Sequence, residues 1–297
     1  MNKSNTDDEN NDEKVCPIEI IVLLAKSDSF GLIPDDEYSI SIEKNCPNCQ
    51  TYFLSPIQFE FKNLDRLAES IEKIDRYSGL VLSSKRCLDA LIECQKSVTN
   101  LTSKLQKSDF TVFTVGISTH DYLKTKLGIE SVGFNSGNSQ ELANFILDHH
   151  QNNPIVKSLL YPCSSIRSDS LSETLKNRIN LDEIHCYDTL PNKNLKFQFQ
   201  KFEKFLLQQR NQCPSKKFLL IIIFFSPSGV ENLSELIEND LKNLSKSIEN
   251  FSLKFVAFGK KTESKLKSKN FDVWFVTSAP DPNSLAKDLR ANLLANN

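Results

Sequence analysis

Hydroxyl side chains gather in this sequence where apolar runs stop. Ser226-Pro227-Ser228-Gly229 follows eight apolar residues, Phe218 to Phe225, and Ser83-Ser84-Lys85-Arg86 follows Leu80-Val81-Leu82. Two glycine-led segments have the same character, Gly116-Ile117-Ser118-Thr119 and Gly259-Lys260-Lys261-Thr262. Hydroxyls, open backbone N–H groups and a few Lys or Arg side chains at helix starts are the equipment for holding carboxylates or phosphates. A hydrogen bond to a charged group contributes about 1.5–3 kcal/mol, against about 0.3–1 kcal/mol for a helix N-terminus. Hydroxyl and amide contacts would therefore set the position of such a ligand. The competing reading is that Ser and Thr at strand–helix junctions only cap helices, which suffices for any one of them.

A second group lies on the run Glu183 to Thr189. Period-2 alternation places Glu183, His185, Tyr187 and Thr189 on one face, with Ile184 and Cys186 on the other. With an ordinary pKa near 10, Tyr187 is protonated at neutral pH, so it suits donation to a departing hydroxyl and not base catalysis. A solvated strand face bridged by a tyrosine accounts for the same pattern. Other catalytic signatures are missing: there is no Gly-x-Gly-x-x-Gly, no Gly-x-x-x-x-Gly-Lys-Ser/Thr and no Gly-x-Ser-x-Gly. Four histidines stand at no ligand-like spacing, and Cys46-Pro-Asn-Cys49 has no second pair, so it reads better as a turn with two thiols than as zinc or redox chemistry. An enzyme built this way would work by positioning a substrate that is already reactive.

Composition narrows the partners. A net charge of -2 leaves no global basic field for nucleic acid or an anionic membrane. Eight cysteines fit a reducing cytosol as free thiols. Residues 1–14, rich in Asn, Asp and Glu, are expected to be a disordered tail and resemble neither a secretory signal nor a transit peptide.

These loops need strands and helices to hold them. The run Phe218 to Phe225 has the length of a strand buried on both faces of a parallel sheet, with a helix beginning near Val230. Further strands are expected at Ile18 to Ala25, Tyr77 to Leu82, Phe110 to Gly116 and Lys157 to Tyr161, the last broken at Pro162. The run 51–61, with Pro56, reads as an edge or connector strand. An internal repeat ties them together. Aligning Ser84 with Ser226 brings Gly116 within one residue of Gly259 in register (116 minus 84 is 32; 259 minus 226 is 33). Each glycine precedes a threonine by three residues, and each threonine, Thr119 or Thr262, precedes a Leu-Ala pair by 23 (142 minus 119; 285 minus 262). The fold expected is α/β: two related α/β domains with parallel sheets, residues 15–50 plus 191–297 and residues 61–182. A two-stranded antiparallel β-ladder of connectors 51–60 and 183–190 joins them, leaving a cleft between.

The sequence also resembles a known family, uroporphyrinogen-III synthase, over roughly Ile18 to Leu293. The resemblance is carried by Phe224-Phe-Ser-Pro-Ser-Gly229, Val256-Ala-Phe-Gly-Lys-Lys-Thr262, Val115-Gly-Ile-Ser-Thr119, Cys186-Tyr-Asp-Thr189 and Ser278-Ala-Pro-Asp-Pro-Asn-Ser-Leu285. Leu159-Leu-Tyr-Pro-Cys163 and Gly79 to Arg86 match less closely. It implies a lyase without a cofactor or metal, working in an interdomain cleft on hydroxymethylbilane, a linear tetrapyrrole with eight carboxylates. Loss of the ring A hydroxyl gives an azafulvene; ring D attacks through its substituted α-carbon, and the spiro intermediate reopens and closes with ring D inverted. By matching motif, Tyr187 would assist hydroxide departure, while Ser84, Thr119, Ser226, Ser228, Gly229 and Thr262 would line the cleft. Lys26, Arg86, Arg167, Lys260 and Lys261 are added from their loop positions as carboxylate partners. Two departures stand out: Ser164-Ser165 where the family often has Gly-Asn, and Lys85 where proline often follows the serine. A monomer with a small-molecule substrate is expected, with room for transient contact with the preceding pathway enzyme. Two other readings stay open: a non-catalytic tetrapyrrole-binding or regulatory protein, and phosphosugar recognition with one site per domain.

Overall fold

The computed structural model describes residues 18–155, 157–166, 170–212, 217–241, 243–244 and 249–295. The expected disordered tail, 1–14, lies outside these residues, as does Arg167. The apolar run at the start forms β1 (Ile18–Ala25), buried from its third residue onward as a strand covered on both faces must be. Asp36 caps α1 (Glu37–Asn45), its carboxylate accepting the Tyr38 N–H at 2.9 Å. Next, β2 (Cys49–Leu54) lies parallel to β1. A separate strand, β3 (Ile57–Phe61), follows. The alternating run expected to be one connector is thus two strands. Pro56 has no N–H to continue a ladder, and the Ser55 hydroxyl donates to the Ile57 carbonyl at 2.8 Å across the break.

The chain continues through α2 (Leu64–Glu72), β4 (Tyr77–Leu82), α3 (Lys85–Cys94), α4 (Leu101–Leu105), β5 (Thr111–Thr114), α5 (Ile117–Leu127), α6 (Ser139–Asn152), β6 (Ser158–Ser164), α7 (Ser170–Leu175) and β7 (Leu181–Pro191). These strands form a sheet in the order β3-β7-β6-β4-β5, with β4 parallel to β5 and β6, and β6 parallel to β7. β6 does not break at Pro162 as expected but runs to Ser164. Its pairing with β4 ends at Leu160, so the missing proline N–H removes no bond on that side.

After β7 come α8 (Leu195–Gln212), β8 (Lys217–Phe224), α9 (Pro227–Leu236), β9 (Phe251–Ala257), α10 (Lys260–Ser268), β10 (Val273–Val276) and α11 (Pro282–Ala295). They join β1 and β2 in a wholly parallel sheet, β10-β9-β8-β1-β2. α9 starts three residues before Val230, with Pro227 in its first turn, where an absent N–H costs nothing. By contacts, the chain forms two compact units, one of residues up to Gln58 together with Pro191 onward, the other Phe59–Leu190. Among the described residues, no helix is long and apolar enough to cross a membrane.

Each sheet is covered on both faces. In the first unit, Phe199, Phe202, Leu233 and Leu266 from α8, α9 and α10 fill one side, and Ile42, Leu285 and Leu289 from α1 and α11 the other. In the second, Leu67, Leu91 and Leu123 from α2, α3 and α5 fill one side, and Leu142, Ile146 and Leu171 from α6 and α7 the other. A parallel bridge between Phe113 and Val132 extends the second sheet past β5. Counted from it, that sheet reads Val132-β5-β4-β6-β7-β3, and the first reads β10-β9-β8-β1-β2, so β3 alone has no counterpart. The two orders superpose β4 on β8 and β5 on β9, with α3 and α5 sharing one face as α9 and α10 do. The units are one winding cut at different points, a circular permutation of each other.

Candidate active site

The repeat brings equivalent residues to the carboxyl ends of equivalent strands. Ser84 and Ser226, both extended, are the N-caps of α3 and α9: Ser84 Oγ accepts the Cys87 N–H at 3.4 Å, and Ser226 Oγ the Gly229 N–H at 3.1 Å. Gly116 and Gly259 precede α5 and α10 at φ 76 and 135, a region that favours glycine. Thr119 and Thr262 sit in the first turns of those helices, both buried.

Tyr187 is the centre of the second unit's set. The β6–β7 register shifts between Cys163 and Ser164, so that Cys163 opposes His185 while Ser164 opposes Tyr187. Cys186 is the extra residue of a bulge, and a bulge breaks strict alternation. Tyr187 therefore does not share a face with Glu183 and His185, as alternation implied; it packs with Ile184 and Cys186 in the core under α3, while His185 is exposed. The phenol is 8% exposed, its ring edge-on to Phe59 with centroids 6.0 Å apart. Its oxygen lies 3.1 Å from Ser84 Oγ, which in turn lies 3.3 Å from Cys87 Sγ. Burial, seconded by the Cys87 sulfur, pushes the Tyr187 pKa up to about 12, while hydrogen bonds from Ser84 and Ser164 pull the other way. Cys87 and Cys186 are neighbouring buried thiols that perturb each other, the pKa of Cys87 being lowered and that of Cys186 raised, and the Cys186 thiol donates to the Cys163 carbonyl at 3.5 Å.

The proposed carboxylate partners differ among themselves. Arg86 Nη1 donates to Asp89 at 2.7 Å, and its guanidinium carbon sits 4.2 Å from the Phe59 centroid. Tyr122 donates to the same Asp89 at 2.7 Å. In the first unit, Lys26 is paired with Asp36 and lies 4.8 Å from the Tyr38 ring centroid. Both cations are thus part of folded networks. Lys260, Lys261 and Ser228 are exposed, whereas Gly229 is buried, where a Cβ would meet Pro56 Cγ at 3.3 Å. That glycine serves close packing within its unit.

Two thiol groupings complete the inventory. Cys163, Glu183 and His185 bring one donor atom each within 4.8 Å of one another. The Cys163 thiol is fully buried and donates to the Ile184 carbonyl at 3.7 Å, and no fourth ligand joins the set among the described residues. Cys46, at the end of α1, and Cys49, the first residue of β2, are both buried, the Cys49 N–H donating to the Cys46 carbonyl at 2.9 Å across the turn. Sequence reasoning missed Phe59, Cys87 and Ser164 around Tyr187. The signal available for Cys87 was its place three residues after a capping serine.

A family model described as uroporphyrinogen-III synthase HemD matches residues 48–287. The chain belongs to the uroporphyrinogen-III synthase family. The family's activity is that of a lyase in tetrapyrrole biosynthesis. Among curated relatives, the uroporphyrinogen-III synthase of Schizosaccharomyces pombe is 23% identical over 260 residues, 87% of this chain and 92% of that protein. Two crystal structures share the fold. Uroporphyrinogen-III synthetase from Helicobacter pylori matches with a TM-score of 0.53 at 16% identity, over 92% of this chain and 99% of that one. A mutant uroporphyrinogen III synthase from Thermus thermophilus matches with a TM-score of 0.50 at 15% identity, over 93% and 99%.

Proposed function

We propose that this chain catalyses the family's reaction, closure of hydroxymethylbilane to uroporphyrinogen III with inversion of ring D and loss of water, and that Tyr187 protonates the departing ring A hydroxyl. The observation that carries Tyr187 is its setting. A phenol holds its proton at neutral pH, so it can give one and not take one; burial, which pushes it up to about 12, makes that proton harder to give, and the hydroxyl of Ser84 at 3.1 Å is placed to offset this. Tyr187 lies within β7 opposite Ser164, the last residue of the parallel strand β6, and the carboxyl ends of parallel strands are where α/β sheets bind ligands.

Once the azafulvene has formed, either pyrrole end of ring D can react, and the uncatalysed closure gives the uninverted isomer. The enzyme's contribution is then orientation, which converts a choice between two closures into one. Thr119 on one unit, and Ser226, Ser228, Thr262, Lys260 and Lys261 on the other, are proposed to hold the carboxylates of one substrate placed between the units, with Ser84 lining the site through its contact with Tyr187. The matched loops of the two units and the family membership support that reading. Arg167 joins the set on its sequence position alone. Lys26 and Arg86, each already paired with an aspartate, are proposed to orient the loops and lend positive charge. The chain crossings, β3 and β7, are proposed to form the antiparallel ladder; their adjacency in the sheet order supports it.

Purified protein given freshly prepared hydroxymethylbilane, with the I and III isomers resolved, tests the whole reading. Predominant III isomer is expected. Isomer I alone, at the spontaneous rate, would show a binding protein without the chemistry. Tyr187→Phe should lower the rate by roughly 10²–10⁴-fold, the usual scale of general acid assistance. An unchanged rate and isomer ratio would remove Tyr187 from the mechanism.

A further inference from the structure

Ser84 Oγ is shared between a structural bond and the reacting phenol, and the count of its protons assigns it a task. A hydroxyl has one proton and two lone pairs. One lone pair of Ser84 takes the Cys87 N–H at 3.4 Å, the cap of α3. One lone pair and one proton remain for Tyr187 Oη at 3.1 Å and Cys87 Sγ at 3.3 Å. While the phenol keeps its proton, the Ser84–Tyr187 bond works in either direction.

We propose that Ser84 is a positioning residue for the reaction, its hydroxyl turning its proton onto the Tyr187 oxygen as the phenol gives up its own to the departing hydroxyl. This rests on the reading of Tyr187 as the proton donor. In that step the Tyr187 O–H bond breaks, the proton joins the hydroxyl oxygen, and the C–O bond breaks with its electron pair leaving on water. The phenolate then has only acceptor capacity, and Ser84 can meet it only as donor. The competing acceptor, Cys87 sulfur, is weak beside an anionic oxygen. Ser84 keeps its own O–H bond throughout, and Tyr187 regains a proton of the kind that ring D releases when the macrocycle closes. With the phenol 8% exposed, water is poorly placed to take over the donor's role.

A double-mutant cycle with two control substitutions tests this. Ser84→Ala should lower kcat roughly 10- to 100-fold, the worth of one hydrogen bond to a charged oxygen. KM should change by no more than about 2-fold, since the bond strengthens only in the transition state. In a Tyr187→Phe background the same substitution should lower kcat no further. Ser84→Asp keeps a capping acceptor but offers no proton, so it should retain the thermal midpoint and lose kcat; Ser84→Thr should recover most of it. Equal losses from Ser84→Ala in both backgrounds, or wild-type kcat in Ser84→Asp, would overturn the assignment of Ser84 alone. A silent Tyr187→Phe would overturn the donor reading and this inference with it.

Discussion

At Tyr187, the burial that fixes the ring also fixes its protonation, and this ties alkaline stability to the candidate acid. The phenol titrates near 10 in the unfolded chain and at about 12 in the folded one. Between those values the folded state binds more protons, so stability is fully present below pH 10 and is lost as pH rises toward 12. At about 1.4 kcal/mol per pH unit over about two units, the loss is roughly 3 kcal/mol. Urea unfolding at pH 9 and at pH 11 should therefore show wild type losing more stability than Tyr187→Phe, by about 1 kcal/mol over that interval. An equal loss in both would mean that the phenol is open to solvent. The residue was legible in the sequence, but its face was not. Alternation grouped Tyr187 with His185, whereas the bulge, a property of β7 against its partner β6, groups it with Cys186. No local signal in one strand announces how its neighbour is spaced.

Among the elements, what could be read in advance was what local chemistry dictates. Serines before helices became caps, and glycines before threonines became turns at positive φ, because both follow from a few adjacent dihedral angles. The strand limits at Pro56 and Pro162 differ from the expected ones in opposite senses. A proline ends a strand or is carried through it according to whether a partner waits for its N–H, and that partner is distant in sequence. The two turn glycines give a clean test of backbone conformation. At both Gly116 and Gly259 a Cβ would meet nothing within 4 Å, so an alanine there is resisted by dihedral strain alone. Gly259→Ala and Gly116→Ala should each cost about 1–3 kcal/mol in urea unfolding. A neutral effect would mean that the loop relaxes to ordinary φ at no penalty.

For the molecule as a whole, the single tryptophan offers a way to watch one unit. Trp274 lies in β10, within the first unit's sheet. Gly259→Ala should shift the urea midpoint followed by Trp274 fluorescence, while Gly116→Ala should shift the far-UV circular dichroism transition and leave the fluorescence midpoint in place. Coincident shifts in both variants would show that the units unfold as one cooperative body. The repeat made the kinship of the units readable, since it preserves spacing from cap to cap. The permutation was hidden in it, because the order in which strands join a sheet is a matter of pairing and leaves no mark on spacing.

The permuted order bears on synthesis. β1 is an interior strand whose partner on one side is β8, and the first matched pair, Ile18 with Lys217, is 199 residues apart (217 minus 18). At about 5–20 residues per second, a ribosome needs roughly 10–40 s to supply that partner. During this interval the nascent chain carries an apolar strand with one open edge, while all the strands of the second sheet have already emerged behind it. Chaperone demand on the nascent chain should therefore fall on β1, whose second edge is covered only when β8 arrives.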